Sequence, residues 1–198
     1  MARNRALQQW RVEDSVELYG INSWGAGYFD VSDKGDVVIC PHGPRGPQVS
    51  IPEIIAGLHE RGYDMPVLLR VENILDARIA NIHDSFRKAI KNLNYTGSYR
   101  GVFPVKVNQQ QQVVEKITQF GAKYHHGLEV GSKAELIAAI SLMTDRKACV
   151  ICNGYKDEEF IDLGLQALRL GFNVFFVLEM PSELEVVLER SKALGVRP

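Results

Sequence analysis

The sequence predicts an α/β protein in which short strands alternate with helices as consecutive βα units. Short apolar runs bounded by Gly, Pro or polar clusters are typical of buried strands, and the segments between them carry apolar residues at helical spacing. Strands that recur between helices in this way indicate right-handed βαβ connections and a parallel sheet. The chain has 198 residues, 45% of them hydrophobic, which is enough to bury one core.

The first segment differs from the rest of the chain because it is rich in aromatic residues and glycine. The turn sequence Asp33-Lys34-Gly35-Asp36 lies between two runs of high β propensity, which predicts a hairpin. A Pro/Gly stretch follows over residues 41–47, where proline cannot donate to a sheet and glycine disfavours helix. We therefore expect a β-rich N-terminal segment over residues 1–48 and the main domain over residues 49–198.

The elements of the main domain follow one another closely. Ser50 is a candidate N-cap for a first helix, in which Ile54, Ile55 and Leu58 share one face. The predicted strands are 66–71, 99–107, 124–130, 147–152 and 173–178, and the later predicted helices are 74–93, 110–120, 132–143, 157–170 and 182–194.

Two architectures fit this order, a doubly wound sheet and a β/α barrel. No Gly-x-Gly-x-x-Gly follows a predicted strand, which counts against a dinucleotide-type wound sheet. A complete eight-unit barrel usually needs roughly 250 residues, so we expect an incomplete (β/α)8 barrel of the TIM type. Lys106, Glu129, Asn153 and Glu179 come where predicted strands end, and in such a barrel these ends surround the active site.

Composition counts against several classes of function. Lys plus Arg number 23 and Asp plus Glu 24, so the net charge of -1 gives no overall field to attract nucleic acid or an anionic membrane. The apolar runs are shorter than the ~20 residues of a membrane-spanning helix, and the polar N-terminus shows no signal peptide. Cys40, Cys149 and Cys152 are too few for a secreted disulfide framework. We expect a cytoplasmic protein without nucleic-acid or membrane partners.

Lys106 is the leading candidate for chemistry because it places an ammonium within the otherwise apolar predicted strand 99–107. Desolvation at such a position disfavours the charged form and leaves a nucleophilic amine, which is suited to forming a Schiff base. The alternative is a strand lysine whose amine reaches solvent. The local pattern leaves both interpretations open.

Three other features indicate structural roles. Cys149 and Cys152 have Cys-x-x-Cys spacing, but residues three apart in a strand point to opposite faces, so we expect buried structural cysteines. His125 and His126, as strand neighbours, cannot bind one metal ion together. Lys156, at the start of a predicted helix, is expected to be solvated.

The motif Val-Phe-Pro-Val-Lys-Val-Asn at residues 102–108 resembles the cofactor-lysine strand of the fold-type III decarboxylases, which have an alanine-racemase-like barrel. Segments 17–25, 127–136 and 151–157 resemble the biosynthetic arginine decarboxylases in the same order, so the resemblance covers nearly the whole chain. It implies that Lys106 binds pyridoxal 5′-phosphate and is the catalytic lysine. It also implies that Glu129, at the end of the next strand, is a cofactor-binding residue that tunes Lys106. The alternative is a strand-end glutamate favoured by a helix dipole.

The resemblance further implies decarboxylation of L-arginine to agmatine and carbon dioxide in putrescine and spermidine biosynthesis, by a homo-oligomer of a longer polypeptide. Members of the family use magnesium, although no carboxylate cluster in the sequence stands out as its site. The other cofactor contacts are expected beyond Pro198, so the chain alone is expected to be inactive. The alternatives are a non-catalytic barrel that carries the cofactor, a catalytically dead homologue, and a decarboxylase for ornithine, lysine or diaminopimelate.

Overall fold

The computed structural model describes residues 9–198, and the chain divides into two compact units, Met1–Ile74 and Leu75–Pro198. Residues 1–8, part of the polar N-terminus that counts against a signal peptide, lie outside the described residues. The domain boundary expected after residue 48 falls inside the first unit and stays a prediction.

The first unit, over residues 9–74, has three helices and a three-stranded antiparallel sheet in the order β1-β2-β3. Its elements are α1 Val12–Leu18, α2 Ile21–Trp24, β1 Phe29–Val31, β2 Val37–Ile39, β3 Val49–Ser50 and α3 Ile51–Glu60. β1 and β2 form the predicted hairpin, whose turn places Gly35 at a φ of 87°, in the left-handed region that favours glycine. Ser50 caps α3 as predicted, because its hydroxyl accepts a hydrogen bond from Glu53 N at 3.4 Å.

The strand predicted over residues 66–71 is wrong, since this segment has no regular secondary structure. An apolar run becomes a strand only where another strand pairs with it, and neither sheet of residues 9–198 includes this segment. Its apolar residues are also not buried, as Leu68 and Leu69 are both exposed.

The second unit contains a four-stranded parallel sheet in the order β4-β5-β6-β7. Its elements are α4 Glu72–Asn92, which begins at the end of the first unit, β4 Val102–Pro104, α5 Gln111–Gly121, β5 Gly127–Val130, α6 Lys133–Leu142, β6 Cys149–Cys152, α7 Glu158–Arg169, β7 Asn173–Phe176 and α8 Pro181–Leu194. Two 3-10 turns, Val105–Val107 and Ala122–Tyr124, follow β4 and α5. The α/β class with a parallel sheet is therefore confirmed.

The strands of this sheet are neighbours in chain order, as they are in successive units of a β/α barrel. Within residues 75–198 the sheet is open, and β4 and β7 are its edge strands. The incomplete barrel therefore stays a prediction.

The core of the second unit lies between the sheet and the helices that connect its strands. Leu128, Val130 and Val150 of the sheet and Leu136 of α6 are fully buried in it. Cys149 and Cys152 are free and buried in β6, as expected for structural cysteines. Burial raises the pKa of the Cys152 thiol to about 12, although the nearby Lys156 ammonium opposes the rise.

The two adjacent histidines precede β5, so their predicted position within a strand is wrong. His125 has a φ of 54°, a left-handed conformation that does not continue a strand, and β5 begins at Gly127. His125 Nδ1 lies 2.6 Å from a carboxylate oxygen of Asp145, whereas His126 Nδ1 lies 2.9 Å from Nε2 of His83 in α4. The two rings therefore have different hydrogen-bond partners in this structure.

Candidate active site

Polar side chains collect at the carboxyl ends of the four parallel strands. The register pairs Pro104 of β4 with Glu129 of β5, and Val130 of β5 with Cys152 of β6. The residues that follow these strands therefore meet at one edge of the sheet, as the sequence predicts.

Lys106 lies in the 3-10 turn Val105–Val107 directly after β4, and not within a strand. Pro104 ends the strand because proline has no N–H for a further ladder hydrogen bond, and Asn108 N then donates to Val105 O at 3.1 Å. Val105 is buried, but the Lys106 side chain is 63% exposed. Of the two interpretations left open for Lys106, the structure therefore agrees with the amine that reaches solvent, although the residue lies in a turn and not in the predicted strand.

Glu129 lies beside Lys106 and has a second polar partner. Its Oε1 is 3.8 Å from Lys106 Nζ and accepts a hydrogen bond from Asn153 Nδ2 at 3.3 Å. Only 11% of its side chain is exposed, and a carboxylate so far removed from water needs such partners. Because the ammonium is exposed, we expect the ion pair itself to contribute no more than about 1 kcal/mol. The arrangement thus orients a carboxylate next to a solvent-accessible amine.

Asn153 connects the carboxyl ends of β5 and β6 through its backbone and side chain. Its N–H donates to Val130 O at 2.8 Å, and its Oδ1 accepts from Gly154 N at 3.0 Å. Gly154 has a φ of 75°, and a Cβ at this position would lie 3.4 Å from Gly131 O. The left-handed backbone conformation therefore favours glycine here, whereas the contact with the loop after β5 is an ordinary van der Waals distance.

Asn108 has a local structural role. Its Oδ1 accepts a hydrogen bond from Gln110 N at 3.1 Å, which forms a side-chain turn before α5. Among residues 9–198 no hydrogen bond or ion pair joins its side chain to Lys106 or Glu129. It is therefore a turn residue in this structure.

Lys156 and Glu183 are polar residues at the same edge that sequence reasoning missed. Lys156 Nζ lies 3.1 Å from Glu183 Oε2, and the two side chains are 0% and 8% exposed. The expectation that Lys156 is solvated is wrong, because its side chain folds back to Gly154 O and to the first turn of α8. One sequence feature indicates Glu183, which is an acidic residue in the first helical turn, two positions after the helix-starting Pro181.

Glu183 stays charged although it is buried. Burial by itself would raise the pKa of its carboxyl, but hydrogen bonds from Lys156 N and Glu179 N, together with the Lys156 ammonium, outweigh this and lower the pKa. The two backbone donors lie 2.9 and 2.8 Å from its oxygens.

Glu135 joins the segments that follow β4 and β5. Its carboxylate accepts from Gln109 Nε2 at 2.8 Å and from Gly131 N at 2.7 Å. A cleft of about 470 Å³ lies between α5 and α6, with Val105, Gln109 and Glu135 among its lining residues. The backbone around Lys106 is thereby linked to the segment after Glu129.

Two features are not found among the residues that the structure describes. No group of three or more His, Cys, Asp and Glu side chains is arranged to hold a metal ion. No helix in the same part of the chain is long and apolar enough to cross a membrane.

Most of this chain is similar to a known protein family. Residues 78–196 match the family described as pyridoxal-dependent decarboxylase, pyridoxal binding domain. A biosynthetic arginine decarboxylase of Gloeobacter violaceus is 44% identical over 192 residues, which are 97% of this chain and 30% of that relative. One of Citrifermentans bemidjiense has the same identity and the same shares. The chain thus spans about 30% of the length of the curated relatives that it matches.

Two solved structures are similar to this chain. The biosynthetic arginine decarboxylase of Campylobacter jejuni superposes with a TM-score of 0.83 and 35% identity, over 88% of this chain and 29% of that one. A diaminopimelate decarboxylase of M. jannaschi, at a TM-score of 0.56 and 24% identity over 87% of this chain and 34% of that one, shares the fold. The resemblance inferred from the motifs is confirmed, and the chain belongs to the pyridoxal-dependent decarboxylases, with their pyridoxal-binding domain over residues 78–196.

Proposed function

We propose that this chain provides the cofactor lysine of an enzyme that decarboxylates L-arginine to agmatine and carbon dioxide, in putrescine and spermidine biosynthesis. The observation that supports it most strongly is the exposed amine of Lys106, 3.8 Å from the Glu129 carboxylate at the carboxyl edge of a parallel sheet, in a family that binds pyridoxal. Arginine is favoured as the substrate because the relatives at 41% to 44% identity are biosynthetic arginine decarboxylases.

The residues at this edge fit pyridoxal 5′-phosphate. Lys106 presents a primary amine, the group that binds an aldehyde covalently, and it is open to solvent. When bound, the cofactor supplies a ring that takes up the electron pair left behind as a carboxylate departs.

The chain's own side chains hold and orient the reacting amine. Lys106 must release a proton before its nitrogen can act as a nucleophile, and the exposed position gives that proton a path to water. The Glu129 carboxylate favours a positive charge on Lys106 Nζ, and Asn153 fixes the Glu129 oxygen that faces it. We assign Lys106 as the catalytic and cofactor-binding residue, and Glu129 as a cofactor-binding residue that holds a proton at Lys106 Nζ.

Further elements of this proposal concern the protein as a whole. We propose that the activity belongs to a longer, homo-oligomeric polypeptide, which is supported by relatives of which this chain spans 30%. A cytoplasmic location is supported by three free, buried cysteines. Magnesium is implied by the family resemblance alone, and residues 9–198 offer no grouping that fits it, so no step is assigned to it.

The test is Lys106→Ala in the longer polypeptide that carries this sequence, with agmatine measured by mass spectrometry after incubation with arginine and pyridoxal phosphate. We expect agmatine formation to fall by at least about 1,000-fold, as it does when a nucleophile is removed. Lys147→Ala is the matched control, since Lys147 is an exposed lysine that precedes the amino end of β6. Substantial agmatine formation by Lys106→Ala would contradict the assignment. Turnover of ornithine, lysine or diaminopimelate in place of arginine would agree with the proposed decarboxylation but contradict arginine as its substrate.

A further inference from the structure

The buried Lys156–Glu183 pair holds together two segments at the carboxyl edge of the sheet. Glu183 belongs to the first turn of α8, and its two oxygens accept from Lys156 N, Lys156 Nζ and Glu179 N. Lys156 Nζ also donates to Gly154 O. Residues 153–156 are here called the β6 loop. All these bonds involve the β6 loop or the segment that follows β7, and none of them reaches the Lys106 side chain directly.

The β6 loop in turn positions the group next to Lys106. Gly154 N donates both to Asn153 Oδ1 at 3.0 Å and to Glu179 Oε1 at 2.9 Å. With its Oδ1 held in this way, the Asn153 amide nitrogen points at Glu129 Oε1 at 3.3 Å. A continuous set of hydrogen bonds therefore runs from the buried ion pair through the β6 loop to the carboxylate beside the amine.

We propose that Lys156 and Glu183 are positioning residues for the cofactor amine, because they fix the β6 loop so that Asn153 keeps Glu129 aligned with Lys106. This inference rests on the proposed function. An ion pair whose side chains are 0% and 8% exposed is a costly way to join two loops, since both ions lose most of their hydration. Such a pair is suited to fixing one geometry, which is what a carboxylate beside a reacting amine requires.

The experiment follows the absorbance band of lysine-bound pyridoxal phosphate in the longer polypeptide as a function of pH, without substrate. Glu129 favours the protonated nitrogen, so misalignment of Glu129 moves the midpoint of this titration to lower pH. We expect that shift in Lys156→Met, together with a fall of roughly 10-fold to 100-fold in kcat/KM for arginine, the loss typical when a supporting contact is removed.

Arg190→Met is the matched control. Arg190 of α8 forms an ion pair with Asp162 of α7, so its removal breaks a contact between helices beside the same loops without touching the β6 loop. It is expected to lower thermal stability and to leave the midpoint where it is in the unmodified protein.

Asn153→Ala tests the route by which the pair acts. We expect it to shift the midpoint in the same direction, and we expect Lys156→Met to add no further shift in the Asn153→Ala background. Additive shifts, or a midpoint in Lys156→Met that equals that of Arg190→Met, would overturn the proposal. If Lys156→Met does not fold, Glu183→Gln replaces it, and we expect the same shift of the midpoint. An unchanged midpoint in Asn153→Ala would by itself reject the proposal.

Failure of the proposed function has a different signature. An unmodified protein that binds pyridoxal phosphate but forms no agmatine rejects the substrate, while the midpoint shifts still decide the positioning role. An unmodified protein without a lysine-bound band rejects the function itself. A normal band whose midpoint none of the variants moves rejects only the positioning role.

Discussion

Lowering the pH from 7 to 5 is expected to destabilise the second unit, because it drives protons onto a buried pair of histidines. His83 Nε2 and His126 Nδ1 lie 2.9 Å apart, so one proton between them forms a hydrogen bond and a second would oppose it. Burial lowers the pKa of His126 from its ordinary 6.5 to about 4, and the charge of a protonated His83 acts in the same direction. Burial also lowers the pKa of His83, helped by the charges of Arg87 and Arg100 and opposed by Asp84.

The sign and the size of this effect follow from proton binding in the two states. Below pH 6.5 the unfolded chain binds a proton at His126, whereas the folded protein binds it only near pH 4. The part of the free energy of unfolding that depends on a neutral His126 is therefore fully present above pH 6.5, and it is lost as the pH falls toward 4. Between pH 7 and pH 5 the loss amounts to about 2 kcal/mol for His126. Carboxyl groups, with ordinary pKa values of 3.8 and 4.5, contribute little in this interval.

The assay is urea denaturation at pH 7 and at pH 5, followed by far-ultraviolet circular dichroism, on the unmodified protein and on His126→Gln. The glutamine side chain can form a hydrogen bond with His83 but does not titrate. We therefore expect the free energy of unfolding of His126→Gln to fall between pH 7 and pH 5 by about 2 kcal/mol less than that of the unmodified protein. His42→Gln is the control, because His42 is exposed. An equal loss of stability in His126→Gln and in the unmodified protein would refute the reasoning.

Two further predictions concern the sheet. Gly127→Ala is expected to yield insoluble protein, since a Cβ there would lie 1.9 Å from the Cys149 carbonyl oxygen of β6. Its control is Gly57→Ala in α3, which is expected to stay soluble because the space around Gly57 is open. Soluble, fully folded Gly127→Ala would show that the two strands are not packed as described. Leu128→Ala, at a side chain 0% exposed, is expected to lower the free energy of unfolding by about 2–5 kcal/mol in urea denaturation. Leu188→Ala, on the exposed part of α8, serves as its comparison, and equal losses in the two variants would contradict the burial of Leu128.

The helices of the second unit could be predicted from the sequence more closely than its strands. The spacing of apolar residues predicts a helix over residues 157–170, and α7 covers Glu158–Arg169. A strand ends where its neighbour stops pairing, which no local pattern records. The predicted strand 99–107 is therefore reduced to Val102–Pro104, because β5 pairs with only these residues.

The candidate site could be predicted in part. Lys106 and Glu129 follow from the family motif and from their positions at strand ends, and the structure places them beside each other. The sequence could not decide between a desolvated and an exposed Lys106 amine, since the exposure depends on the turn that begins after Pro104. The Lys156–Glu183 pair was missed because its members are 27 residues apart and meet only after β7 and α8 have packed beside β6.

The central claim is that Lys106 binds pyridoxal phosphate, and borohydride trapping tests it most directly. The longer polypeptide is incubated with the cofactor, reduced with borohydride, digested and mapped by mass spectrometry. We expect the modification on the peptide that contains Lys106, and none on the corresponding peptide of Lys106→Ala. Modification confined to another lysine, or equal trapping by Lys106→Ala, would contradict the claim.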